Sequence, residues 1–189
     1  MKVLGIMGSP RIRGNSDLLL DEALRGAQSR GAEVEKIIVD KLKIAPCKEY
    51  YGCLKDGNCV MRDDMDAIIP KLLDAEAVIV ASPIFFYSVS AQLKALIDRC
   101  QALWARKYVL KQKPLKTGRK GAFIAVGATR GEKLFEGPTL TIKYLFQAID
   151  VAYADELLIR SVDQKGEIKD HPDTLQSAFE MGQRLAGQL

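Results

Sequence analysis

The sequence holds one histidine, His171, and one tryptophan, Trp104. Without a second histidine, an imidazole pair for acid–base catalysis or for a metal is excluded. No stretch approaches the roughly 20 apolar residues that a membrane helix needs. The amino terminus enters a strand-like pattern where an exported chain carries a basic, apolar, small-residue leader. No membrane partner and a cytoplasmic location are therefore expected. No repeat, low-complexity tract or linker interrupts the 189 residues, 48% of them apolar, which suits one domain whose core covers both faces of a sheet. The net charge of +4 comes from one place: residues 106–120 hold seven bases and no acid, against 21 bases and 24 acids elsewhere. So local a basic run argues against a nucleic-acid surface. It reads either as a solvated loop or as a lure for a phosphorylated ligand or an acidic neighbour.

What is present is an alternation of two periods. Residues 2–8, 33–39, 77–81, 122–126 and 152–159 read as strands, several of them short apolar runs of the kind buried in parallel sheets. Between them lie helical patterns. One runs from Ser16, a natural N-cap, to a stop at Gly31; a second spans 63–73 with Asp63 or Asp64 as cap. A third starts near Ser90 and runs past Leu103, a fourth covers 139–149, and a fifth follows the turn at Asp170 and Pro172. Five strands alternating with five helices predict a three-layer α/β domain, a five-stranded parallel sheet with right-handed crossovers and helices on both faces. Residues 44–62 and 107–120 are the least regular.

In such a sheet ligands sit at the carboxyl ends of the strands, where strand order reverses. After the first strand comes Gly8-Ser9-Pro10-Arg11-Ile12-Arg13-Gly14-Asn15-Ser16, opening directly into a helix. Unpaired amides at a helix start face an anion, Ser9, Asn15 and Ser16 add donors, and Arg11 adds charge. The loop has neither the Gly-Lys-Ser/Thr ending of a triphosphate loop nor Gly-x-Gly-x-x-Gly, so a monophosphate fits best. The same residues also serve as plain helix caps. After the third strand, Pro83, Ile84, Phe85, Phe86 and Tyr87 form an apolar, aromatic run where turns favour polar residues; a flat ring system could stack there. After the fourth, Gly127, Ala128, Thr129 and Arg130 offer flexible backbone donors near the same crevice.

Gly-Ser-Pro-Arg followed by Gly-Asn-Ser, the Ser-Pro-Ile-Phe-Phe-Tyr-Ser-Val-Ser loop and Ala91-Gln92-Leu93-Lys94-Ala95-Leu96-Ile97-Asp98-Arg99 together resemble the NADPH-dependent FMN reductases, especially their iron-sulfur flavoprotein branch. The resemblance implies a flavodoxin-like sheet of order 2-1-3-4-5. It implies FMN, with Ser9, Arg11, Asn15 and Ser16 on its phosphate, residues 83–87 along the ribityl chain and ring, and residues 127–130 at the pyrimidine end. It further implies NADPH or NADH as donor, a small acceptor such as a quinone or flavin, and a homodimer or homotetramer with flavin at subunit borders. No catalytic side chain is required, because the flavin performs the chemistry. An electron carrier serving a protein partner and a non-redox flavin-binding module are the alternative functions.

The cysteines depart from that branch. Iron-sulfur flavoproteins are similar in carrying four close cysteines after the second strand; here Cys47, Cys53 and Cys59 match, but Tyr50 stands at the second position. A phenol is a poor soft-metal ligand, so an iron-sulfur cluster is not favoured and no metal is the preferred expectation. Completion of the set by Cys100, a three-cysteine cluster or zinc site, and relic thiols stay open.

Overall fold

The computed structural model describes residues 1–114 and 116–187. Strands β1 (Lys2–Met7), β2 (Glu33–Ile38), β3 (Ala77–Pro83), β4 (Lys120–Gly127) and β5 (Ala152–Arg160) form one parallel sheet in the order β2-β1-β3-β4-β5. This is the flavodoxin-like order, with its reversal point between β1 and β3. Every residue from Ala77 to Ser82 in central β3 is buried, whereas edge strand β5 is at most half-buried, with Tyr153 and Leu158 packing on one face and Leu157 and Ile159 on the other.

Helices α1 (Asn15–Gln28) and α7 (Pro172–Ala186) cover one face, where Val3, Met7, Ile79, Ala81 and Ile124 meet Leu19, Leu20, Ala23 and Met181. The other face carries α3 (Met65–Asp74), α4 (Ala91–Arg99) and α6 (Glu136–Ala148). There Leu4, Ile6, Val78, Val80 and Phe123 pack against Ile68, Leu72, Leu93, Leu96, Ile142 and Phe146. Burying each such side chain contributes about 1.5–3 kcal/mol. The helix expected from near Ser90 past Leu103 is divided at Cys100 into α4 and the short α5 (Gln101–Trp104), which runs into a π-helical turn at Ala105–Val109; another short helix, α2 (Cys53–Asp56), lies in the irregular stretch 44–62.

Backbones of α1 and α7 touch. A Cβ on Gly26 would lie 1.8 Å from the Phe179 carbonyl, and one on Gly182 would lie 1.8 Å from that of Ala23. The two glycines let the helices cross with no side chain between them, which sets where the start of α1 sits relative to the carboxyl-terminal segment. Among the described residues no helix is long and apolar enough to cross a membrane.

The basic run 106–120 is largely consumed by the fold. Arg106 donates to Gly57 O and Asn58 Oδ1 at 2.8 Å each, Lys107 pairs with Asp150 at 2.7 Å, and Lys116 pairs with Asp74 at 2.8 Å. Arg119 is buried and donates to the carbonyls of Leu72, Ala75 and Ile149.

Candidate functional site

The loop between β1 and α1 is held from below. Gly8 N donates to Ala81 O at 2.7 Å, and the buried Ser90 hydroxyl donates to Gly8 O while accepting Leu93 N at 3.2 Å as the cap of α4. Ser90 thereby ties the loops after β1 and β3 together. The N-cap of α1 is Gly14, not Ser16, and no side chain caps it. Ser16 falls in the first turn because Asn15 is drawn into the helix by bonds to a distant loop. The acid of that turn, Asp17, is buried and turned aside: it accepts Arg13 N at 2.6 Å and pairs with Lys36. The helix start is left with amides that no side chain caps and with its own acid engaged elsewhere, the condition for receiving an anion.

A cavity of about 200 Å³ opens there, bordered by Ser9, Arg11, Asn15 and Ser16, by Pro83, Ile84 and Phe85, and by Ala128. Ser9 Oγ accepts Arg11 N at 3.1 Å, which leaves the hydroxyl proton free to donate. The Arg11 guanidinium has no hydrogen bond or ion pair among the described residues. Phe86, Tyr87, Gly127, Thr129 and Arg130 do not border the cavity. Gly127 is buried at the end of β4 with Leu134 against it, and Arg130 turns to Ser161 Oγ at 2.9 Å.

The aromatic run forms a tight hairpin. Phe85 and Ser88 exchange backbone hydrogen bonds of 3.0 and 2.9 Å around a two-residue turn, with Phe86 at φ 48° and Tyr87 at φ 58°. Such turns take Asn-Gly readily; two aromatic residues there are strained, and strain of this kind gathers at functional sites. Tyr87 is wedged against the loop after β4, since a Cβ on Gly131 would lie 2.3 Å from its hydroxyl. The Phe86 ring is wholly exposed.

Residues 162–168, after β5, also reach the site and were not anticipated. Val162, Asp163 and Lys165 border the cavity. The Asn15 carboxamide clamps this loop from both sides, donating to Gln164 O at 2.9 Å and accepting Ile168 N at 3.2 Å. The available signal was the polar turn Asp163-Gln164-Lys165-Gly166, placed at the same sheet end as the loops after β1 and β3.

The cysteine loop lies elsewhere. Cys47 and Cys53 border a larger cavity of about 800 Å³ with Cys100, Trp104 and Tyr144, and this cavity shares no residue with the first. Cys100 is buried, and that burial pushes its thiol up to about 12. The Cys53 thiol is also raised, first by burial and then by its neighbours Cys59 and Cys47. Tyr50 is exposed, and among the described residues no group of three cysteine, histidine or acidic side chains is arranged to hold a metal. Three thiols and an exposed phenol do not fit a four-thiolate cluster. Arg99, almost fully buried, orders the loop by donating to Ala45 O at 3.0 Å, Met61 O at 3.3 Å and the Asp63 carboxylate.

Residues 1–135 match the family model described as NADPH-dependent FMN reductase. An iron-sulfur flavoprotein of Archaeoglobus fulgidus is 40% identical over 132 residues, covering 70% of this chain and 57% of that protein. Another, from Methanocaldococcus jannaschii, is 39% identical over 135 residues, covering 69% of this chain and 64% of its own length. The matches thus span less than two thirds of those relatives. Among solved structures, the NAD(P)H:quinone oxidoreductase of Methanothermobacter marburgensis superposes with a TM-score of 0.71 at 17% identity, covering 98% of this chain and 96% of that one. Sequence and fold agree, and the chain belongs to the NADPH-dependent FMN reductase family.

Proposed function

We propose that the protein binds FMN at the β1/β3 end of the sheet and passes electrons from NADPH or NADH through it to a small acceptor such as a quinone or a flavin. The observation that carries this reading is the convergence, on one cavity, of an uncapped helix start, two buried serine hydroxyls and an unpaired arginine with an apolar wall of Pro83, Ile84 and Phe85. That set matches a phosphate joined to an apolar body. A cavity of about 200 Å³ suits the phosphate and ribityl end. The aromatic hairpin and the backbone of residues 127–130 would then hold the flat ring outside it.

When bound, FMN would supply the redox chemistry, as a two-electron relay between the nicotinamide and the acceptor. The chain's own residues bind and orient. Ser9, Ser16 and the first amides of α1 donate to phosphate oxygens, Arg11 balances their charge, and Phe86, free of neighbours, stacks. The sole histidine, His171, is exposed at the start of α7 and does not border the cavity.

The iron-sulfur names of the relatives favour a second reading, a carrier that reduces a protein partner. Anaerobic addition of NADPH to the FMN-loaded chain, followed by turnover with a quinone, tests both. Prompt bleaching of the flavin with sustained quinone reduction is expected. Bleaching without turnover favours the carrier, and no bleaching removes the reductase reading. A homodimer or homotetramer in the cytoplasm belongs to the same proposal, supported by the uncovered rings of Phe86 and Tyr144, and sedimentation measures it.

A further inference from the structure

The amino-terminal 135 residues that match the family model include Arg11 but not the loop after β5. That loop is nevertheless built into the cavity. Glu167 Oε2 accepts the amides of Asp163 and Gln164 at 2.8 and 2.7 Å, Gly166 makes the reversal at φ 83°, and Ile168 is fully buried beneath. The Asn15 clamp closes it onto the first turn of α1. Four hydrogen bonds and one left-handed glycine thus fix a short exposed segment, more restraint than a mere connection between β5 and α7 demands.

The residue so presented is Lys165. It borders the cavity and, like that of Arg11, its side chain makes no hydrogen bond or ion pair among the described residues. Most other basic side chains near the sheet ends have partners: Lys36 holds Asp17 and Asp21, Arg130 holds Ser161, and Arg160 donates to Glu132 O at 3.0 Å. The cavity is therefore bordered by two unpaired bases and a single acid, Asp163. Asp163 offsets one of those charges and the uncapped amides at the start of α1 add partial positive charge, so a phosphate monoester, close to a dianion at neutral pH, draws on both bases.

We propose that Lys165 is the second cation of the site, binding the phosphate monoester opposite Arg11, and that the carboxyl-terminal third of the chain supplies it through the loop clamped by Asn15. This rests on the reading that the cavity holds a flavin phosphate. Asn15 then acts as a positioning residue: its amide faces the anion, and its side chain sets the distance between the two bases.

The test is binding by the deflavinated full chain, followed by flavin fluorescence, for FMN and riboflavin, with inorganic phosphate as competitor. Lys165→Met should weaken FMN about three- to tenfold, as loss of one charged hydrogen bond does, and leave riboflavin unchanged. Lys165→Arg should bind FMN like the parent, and the salt dependence of FMN binding should be shallower in Lys165→Met. Equal FMN affinity in parent and Lys165→Met, or equal losses for FMN and riboflavin, overturns the inference. If Lys165→Met instead raises KM for NADPH but not for NADH, the lysine serves the nicotinamide's phosphate and the inference also falls. The underlying reading is separated by Arg11→Ala. If that variant discriminates FMN from riboflavin while Lys165→Met does not, the site stands and only the second cation is lost; if neither does, both fail.

Discussion

Replacing Phe86 by Asn isolates the strain in the hairpin tip. Phe86 sits at φ 48° with its ring wholly exposed, so the apoprotein carries the cost of a left-handed aromatic residue without any packing in return. That cost is about 1–2 kcal/mol for an L-residue, and Asn, which tolerates the region, recovers roughly 0.5–1 kcal/mol of it. For a chain of this size each kcal/mol moves Tm by about 2–4 °C, so Phe86→Asn should raise the apoprotein's Tm by about 1–4 °C. Gly relieves the strain fully but frees the unfolded backbone at a cost of about 0.5–1 kcal/mol, so Phe86→Gly should keep a net gain of roughly 0.5–1 kcal/mol and likewise raise Tm by about 1–4 °C. Thermal unfolding of the three deflavinated proteins measures this. Binding should move the other way: Phe86→Asn loses the ring that stacks on flavin, and its FMN dissociation constant should rise severalfold. A fall in apoprotein Tm for Phe86→Asn would refute the reasoning, because it would mean that the ring is already packed.

Two further outcomes follow from buried contacts. Asp63→Asn leaves the Arg99 guanidinium buried without its carboxylate and should cost about 3 kcal/mol in urea unfolding. Burial raises the Asp63 carboxyl, but bonds from Arg99 and from the amides of Ala45 and Met65 outweigh it and hold the group below its ordinary value. The stabilisation is therefore complete above that ordinary value, near 4, and fades as pH falls through the lower folded one, so wild type and variant should converge in acid. Gly26→Ala drives a methyl into the Phe179 carbonyl and should cost about 2–3 kcal/mol, lowering Tm by roughly 4–12 °C; an unchanged Tm would mean that α1 and α7 can part freely.

The sheet was legible because its strands are apolar runs closed by turns: residues 2–8 and 152–159 lie within a residue of β1 and β5. The helix starts were less so. Ser16 has the chemistry of a cap, yet Asn15 precedes it into the helix because its side chain answers Gln164 and Ile168, partners set by the docking of α7 and invisible to local pattern. The same blindness hid Lys165. Residues 106–120 look alike in sequence and differ in fate, since Arg119 is buried among carbonyls while Arg106 ties down Gly57. The loops after β1 and β3 were found because glycine, serine and adjacent aromatics mark them locally. Which of those residues face the cavity depends on the turn at Phe86, where the left-handed backbone sends Phe85 inward and Phe86 away.

The Asn15 clamp joins residues 149 and 153 positions apart, so it has a consequence for the order in which the protein matures. A chain growing from its amino terminus completes the β1 loop early, but the partner carbonyl and amide are made 149 and 153 residues later. Until then the cradle lacks one wall and Asn15 lacks its anchor. Cofactor capture is thus deferred until the loop after β5 has been made, and a product truncated before residue 164 should go without flavin even where its sheet has begun to assemble.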